Sequence, residues 1–338
     1  MREINILITA ASRRVALIRA FGRALRRLGL NGNVITTDLN RLSPGLYFGD
    51  HHYIAPLTTD PEYIPLIKSI CSKERVHLLI PTIDDELPIF GRHRCEFEEM
   101  GVRVAVSGEQ TGHVCNDKYA SYRFFNKRGI PFARTWLPEE LNRENMKYPL
   151  FLKPRSGRGS IGAFTIKNRR ELDFFVKYVH GAIIQEFLEG TEYTIDVLAD
   201  FDGRVISVVP RERMVVRAGV SDRGRTFRHS GLIKLAIETA GVMKLRGAAN
   251  IQVKLDGDKA VIFEVNPRFS GGIPLTIAAG ADFPGWLIEM CLGRGPEPCI
   301  GGFTDGLMMT CYEEALFLTP DDVGEIDVSN DMIFETRL

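Results

Sequence analysis

Leu150-Phe151-Leu152-Lys153-Pro154-Arg155-Ser156-Gly157-Arg158-Gly159-Ser160-Ile161-Gly162 contains a literal G-x-G-x-x-G, and its flanks decide the fold. Where that motif opens a helix after a strand, its glycines let the backbone approach a dinucleotide pyrophosphate. Here Leu150 to Lys153 enters as an apolar strand and Ala163-Phe164-Thr165-Ile166 leaves with strand alternation, so the glycines join two strands. Such a connection suits a flap of backbone N–H groups over phosphates, with Lys153 supplying a point charge from the entering strand. On these residues alone a plain glycine-rich hairpin is an equal reading.

Upstream of the flap the chain alternates strand and helix. Ile4 to Thr9, Val34 to Thr37, His77 to Ile80 and Val102 to Val106 are short apolar runs. Between them Val15, Ile18, Phe21, Leu25 and Leu28 recur at helical spacing, and further helices are predicted near Glu62 to Lys73 and up to Met100. This pattern implies a parallel sheet covered on both faces. The arginines at 2, 13, 14, 19, 23, 26 and 27 give the N-terminus a transit-peptide flavour, but the strand and helix pattern places them in the fold. The first strand-to-helix turn, Thr9 to Arg14, lacks the glycines of a dinucleotide fingerprint, which argues against a Rossmann dehydrogenase. Asp38, and Asp84-Asp85-Glu86, stand just past strand ends where α/β sheets collect ligands; helix capping is the other reading for the second group.

The 338 residues exceed what one core usually organises, and 44% hydrophobic with 25% charged residues is ordinary globular composition. With 43 basic and 43 acidic side chains no global field recruits nucleic acid or an anionic membrane. No apolar run has the length of a membrane span. The six cysteines form no C-x-x-C pair, which fits reduced thiols and a cytoplasmic location. The histidines show no metal-ligand spacing; His229 stands out only because it ends an Arg-rich stretch.

Downstream, Asn168 with Glu171 caps a helix, and Ile183 to Phe187 is a strand running into acids, able to offer backbone groups to an adenine edge with Glu192 reaching ribose hydroxyls. Strands Tyr193 to Ala199 and Val205 to Val209 then form a hairpin through Asp202-Gly203. Arg211, Arg213, Arg217, Arg225 and Arg228 follow in a stretch expected to be a loop, either solvated or seating an anionic acceptor. In the last hairpin, Glu264 and Asn266 share one strand face, and Gln252 joins them if the connection has an odd number of residues, because a one-residue slip turns it to the other face. Oxygen donors so grouped suit Mg²⁺.

Asn116-Asp117-Lys118, the Lys153 strand and flap, Gln185-Glu186 through Glu192, Gln252, and Glu264-Val265-Asn266-Pro267-Arg268 occur in the order seen in the ATP-grasp superfamily. Asn250 to Gly280 resembles the synthetase halves of the carbamoyl-phosphate synthase large subunit and its short stand-alone relatives. The resemblance, over roughly residues 4 to 295, implies an α/β protein: an N-terminal parallel α/β (pre-ATP-grasp) domain over 1–115, an α+β ATP-grasp small subdomain with the flap over 116–188, a large subdomain with the metal site over 189–312, and an extension over 313–338. It implies that Lys118, Lys153, Ser156, Gly157, Gly159 and Ser160 meet ATP phosphates, that Gln185, Glu186, Phe187 and Leu188 line the adenine, and that Glu192 holds ribose. Gln252, Glu264 and Asn266 would hold two Mg²⁺, with Mn²⁺ as a substitute, and Arg268 with Lys153 would stabilise the transferring phosphoryl group.

The expected activity is therefore an ADP-forming ligase joining a carboxylate to an amine, or to a thiol, through an acyl phosphate. No second synthetase half and no glutamine-hydrolysing Cys/His domain is recognisable, so a free amine is expected. A carbamoyl-phosphate synthase-like enzyme acting on bicarbonate, and a catalytically silent ATP-binding regulatory module, are the alternatives. Small molecules, no nucleic acid and no membrane are the expected partners, with a homodimer as an open expectation.

Overall fold

The computed structural model describes residues 3–142, 146–157, 159, 161–217 and 219–324. Its first layer is a five-stranded parallel sheet of β1 (Asn5–Ile8), β2 (Val34–Asp38), β3 (His51–Ile54), β4 (Val76–Ile80) and β5 (Arg103–Val104), in the order β3-β2-β1-β4-β5. Alternation along β1 sends Ile6 and Ile8 to one face, where α1 (Val15–Arg27) packs, and Leu7 to the other, which α2 (Tyr63–Lys73) and α3 (Glu86–Glu99) cover. Chain order reverses on either side of β1, so the loops after β1 and β4 flank a topological switch point, the crevice where open α/β sheets bind ligands.

After α4 (Glu109–Asn116) and α5 (Lys118–Asn126) comes a small antiparallel sheet: β6 (Thr135–Trp136), β7 (Leu150–Pro154), β8 (Phe164–Ile166) and β9 (Ala182–Glu186), ordered β6-β9-β7-β8. Beneath it α6 (Arg169–Tyr178) starts at Asn168, whose side chain accepts from the Glu171 N–H. The third sheet is antiparallel and six-stranded, β14-β13-β10-β11-β12-β15, built from β10 (Thr191–Ala199), β11 (Val205–Arg217), β12 (Val220–Thr226), β13 (Gly247–Asp256), β14 (Lys259–Asn266) and β15 (Met308–Thr310). The helices α7 (Ser230–Met243), α8 (Ile273–Ala278) and α9 (Phe283–Cys291) complete the described elements that bear on the site.

Two sequence expectations change. The Arg-rich stretch is not a loop: β11 continues to Arg217 and turns back as β12, since pairing with a neighbour fixes these residues as strand despite their charge. The connection between β13 and β14 is also not odd. Asp256 pairs with Lys259 across a two-residue turn, and an irregularity between Gln252 and Val253 skips Phe263, so Gln252 still faces Glu264 and Asn250 faces Asn266. A β-bulge supplies the extra residue that the loop does not.

The cores do not follow a cut at 115/116. Val114, Cys115, Phe125 and Phe132 belong to the core of the six-stranded sheet under α7. Another cluster joins Ile6, Phe21 and Leu78 of the first layer to Leu198, Ala248, Phe269 and Phe283. The small sheet alone keeps a separate core of Leu150, Leu152, Ile166, Leu172 and Ile184. Among the described residues no helix is long and apolar enough to cross a membrane.

Candidate active site

A cleft of about 340 Å³ opens between the small sheet and the six-stranded sheet. On one wall β7 presents Lys153 and the strand end of β9 leads into Glu186, Phe187 and Leu188; the glycine segment contributes Ser156, Gly157 and Gly159. Lys118, at the start of α5, is positioned by Asp117, whose carboxylate caps that helix through Tyr119 and Ala120 N–H and also grips Arg155. Lys118 Nζ donates to the Gly157 carbonyl at 2.8 Å and so reaches the flap. Gly157 and Gly159 adopt φ of +116° and +71°, which only glycine takes readily. Ser160 lies outside the described residues.

Lys153 is buried, and loss of water lowers its pKa to about 8; Glu264 works against that shift, Lys118 adds to it and Glu192 opposes it. Among the described residues no anion accepts a hydrogen bond from Lys153, and a cation buried in that state is poised to take one. Gln185 lines the cleft from β9, yet its side-chain amide points away and donates to Thr135 Oγ1 at 2.9 Å. Glu186 Oε1 accepts from the Arg134 N–H at 2.9 Å. Glu192 is held by Arg213 Nη1 at 2.7 Å and faces Lys254 at 3.6 Å.

The opposite wall carries Gln252, Glu264 and Asn266. Asn266 Nδ2 donates to Asn250 Oδ1 at 3.2 Å, and its own amide oxygen accepts no hydrogen bond among the described residues. Glu264 makes no hydrogen bond among the described residues, whereas Gln252 Oε1 accepts from Arg213 Nη1 at 3.1 Å. One carboxylate with two amide oxygens fits Mg²⁺, which keeps waters and shares substrate phosphates instead of filling an all-protein cage. Among the described residues no group of three His, Cys, Asp or Glu forms another metal cluster. Arg268 follows this strand; its Nε and Nη2 grip Asp84 bidentately at 3.0 and 2.8 Å, and Nη1 donates to the Phe269 carbonyl. Asp84 is thus an ion-pair partner across the layers, not a helix cap.

Residues 179–314 match the family described as ATP-grasp in the biosynthetic pathway with Ter operon, and residues 6–105 match the PylC-like N-terminal domain. The first match assigns residues 179–314 to the ATP-grasp family. The arginine-specific carbamoyl phosphate synthase large chain of Bacillus subtilis (strain 168) is 22% identical over 271 residues, covering 74% of this chain but 25% of that protein. The chain spans about a quarter of the length of the curated relatives it matches. Among solved structures, the biotin carboxylase of Campylobacter jejuni in its β-γ-ATP complex has a TM-score of 0.70 at 16% identity, over 90% of this chain and 74% of that one. The L-amino acid ligase of Bacillus licheniformis has a TM-score of 0.65 at 18% identity, over 88% and 76%. At these identities the structures establish the ATP-grasp fold.

A second cleft, about 360 Å³, lies between the loop after β1 and the six-stranded sheet. Gln252, Arg213 and Arg268 line both clefts. Of the five arginines expected to seat an acceptor, Arg211 and Arg213 reach this region. Arg211 is wholly buried against Asp196, with Nε 2.7 Å from Oδ2, and Ser270. Burial drives the Arg213 guanidinium below its ordinary pKa, with Glu192 opposing. The other three lie elsewhere because of the strand geometry. Arg217 stands exposed near Asp222 and Glu313, Arg225 pairs with Glu212 at 2.6 Å, and Arg228 Nη2 donates to the Phe303 carbonyl. His229 is a helix cap, its Nδ1 accepting from the Leu232 N–H. The pair that the sequence reading left unassigned is Arg13 and Arg14, brought to the second cleft by the switch point.

Proposed function

We propose that this protein is an ATP-dependent ligase that activates a carboxylate as an acyl phosphate and transfers the acyl group to an amine, releasing ADP and phosphate. The observation that carries this reading is the meeting of two clefts at Gln252, Arg213 and Arg268. A nucleotide in the first, with its adenine against Phe187 and Leu188 and its ribose at Glu192, directs its γ-phosphoryl group toward that junction. An acid in the second cleft then meets it in line.

In the first step a carboxylate oxygen attacks the γ-phosphorus, the bond to the β,γ-bridging oxygen breaks, and ADP leaves with the electron pair. The amine then attacks the acyl carbon, phosphate departs, and the surplus proton on nitrogen passes to the phosphate or to water. Lys118 and Lys153 hold phosphate oxygens, and Arg268 stands where charge accumulates in transit. Mg²⁺ held by Gln252, Glu264 and Asn266, as two ions or with Mn²⁺ in its place, would neutralise triphosphate oxygens.

Hydroxylamine in place of the amine, with Mg·ATP and a panel of carboxylic acids, tests the reading: a hydroxamate formed in step with ADP supports it, and ADP release with no hydroxamate for any acid argues against it. A second reading, favoured by the carbamoyl phosphate synthase relatives, is action on bicarbonate; ADP release that needs bicarbonate and no organic acid would select it.

A further inference from the structure

The second cleft has a charge pattern that the nucleotide reaction does not require. Among the described residues five guanidiniums line it, those of Arg13, Arg14, Arg211, Arg213 and Arg268, and no Asp or Glu does. Three of them have carboxylate partners behind the wall, Asp196, Glu192 and Asp84. The other two do not. Among the described residues Arg14 hydrogen bonds through Nη2 to the Thr82 carbonyl at 3.2 Å, and Arg13, which is exposed, makes no hydrogen bond or ion pair. Burial, with the like charge of Arg268, holds the Arg14 guanidinium down at about 10, although Asp84 opposes the shift.

Two further features place an anion here. Arg211, 1% exposed, leaves Nη1 without a hydrogen-bond partner, and that atom lies directly against Gly272, where a Cβ would overlap it. Gly272 itself lines the cleft. Across from it, the 13-residue helix α1 starts after its N-cap Arg14 with no side-chain cap and no acid in its first turn, and its Ala16 and Leu17 line the same space. The first-turn N–H groups and the helix dipole there favour negative charge. The loop that carries Arg13 and Arg14 is held in place: Ser12 N–H donates to Asp38 Oδ2 at 2.7 Å, and Thr82 Oγ1 donates to the Ala10 carbonyl at 2.7 Å. Ala10 and Ser12 accept φ of +48° and +42° in that loop, a conformation side chains rarely take.

Resting on the ligase reading, we infer that the acid activated by this protein carries a second anionic group, a carboxylate or a phosphate monoester, seated by Arg13, Arg14 and the start of α1. The division of labour follows from position. Arg268 and Arg213 border the nucleotide cleft and serve the reacting carboxylate, whereas Arg13 and Arg14 line the second cleft alone. A monoacid would leave the guanidiniums at the α1 end unanswered; a dianion answers both ends.

Calorimetric titration of the full chain with glutarate, 3-phosphoglycerate and butyrate, with and without Mg·ADP, tests the inference. At least one dianion should bind about tenfold or more tighter than butyrate, the increment expected of one charge-assisted contact. The tighter of the two identifies the distal group as carboxylate or phosphate. Arg13→Gln, at an exposed position that tolerates change, and Arg14→Gln should each remove most of that advantage while Mg·ADP affinity stays as it was. Butyrate binding as tightly as both dianions, or an undiminished dianion advantage in both variants, overturns the inference. Loss of Mg·ADP binding in the unaltered chain would instead overturn the nucleotide reading, and the titrations without nucleotide still decide the anion site.

Discussion

Lys153 concentrates the chemistry of the nucleotide cleft in one buried amine. Its folded pKa of about 8 lies below the ordinary 10.5, so between those values the unfolded chain keeps a proton that the folded chain has lost. Stability attributable to this residue therefore rises as pH climbs through that window, and the cost of the buried charge is felt in full below about pH 8. Lys153→Met should be the more stable protein at pH 7, by roughly 2–4 kcal/mol from the size of the shift, and the gap should close toward pH 10.5. Urea unfolding of both proteins across this range checks it; a gap that does not narrow would contradict the assignment. In the unaltered chain, phosphate binding should draw a proton onto Lys153, so Mg·ATP affinity should decline above about pH 8. Glu264 is the complementary case. Glu264→Gln removes the site's carboxylate without changing its shape, so turnover should fall by about two orders of magnitude or more with thermal stability little altered. Near-normal turnover at ordinary Mg²⁺ would sink the metal assignment.

Among the elements, β11 and β12 show how a strand separates residues that are neighbours in sequence. Arg211 and Arg213 point into the site region, while Arg217 and Arg225 pair at the surface. Arg217→Ala and Arg225→Ala should leave the KM for every substrate unchanged and thermal stability little altered, since exposed ion pairs contribute little. A raised KM in either would return the hairpin to the acceptor site. Gly272→Ala should behave in the opposite way, pressing a methyl group on Arg211 and its buried partners, with a loss of about 1–3 kcal/mol seen in thermal unfolding.

These elements also show what the sequence makes legible. The strands and helices of the first layer follow from apolar period, and β7 with its glycine segment follows from alternation on both sides. The strands β3 and β15 are sheet-edge segments whose conformation is set by their neighbours, and His51-His52 carries little strand signal. For the metal strand, the sequence places Glu264 and Asn266 on one face; the bulge that brings Gln252 to them depends on pairing with β13 and leaves no local mark. Arg13 and Arg14 are visible as charges, but only the strand order that puts β1 beside β4 shows what they face.

At the scale of the whole molecule, the core shared by the first layer and the six-stranded sheet predicts that these two unfold together, while the small sheet has its own core. Hydrogen exchange should show β1, β4, β10 and β13 opening with one free energy and β7 and β9 with a lower one. Independent opening of the first layer would contradict the shared core. The same architecture leaves the nucleotide cleft lying between the separately packed small sheet and the larger body, so a ligand there ties the two together. Calorimetric titration of Mg·ATP into the unaltered chain, Lys153→Met and Glu264→Gln, with NAD as competitor, tests that placement most directly. One Mg·ATP should bind per chain, both variants should bind it far more weakly, and NAD should not displace it; NAD binding in preference to Mg·ATP, or Mg·ATP binding untouched by both substitutions, would contradict the site.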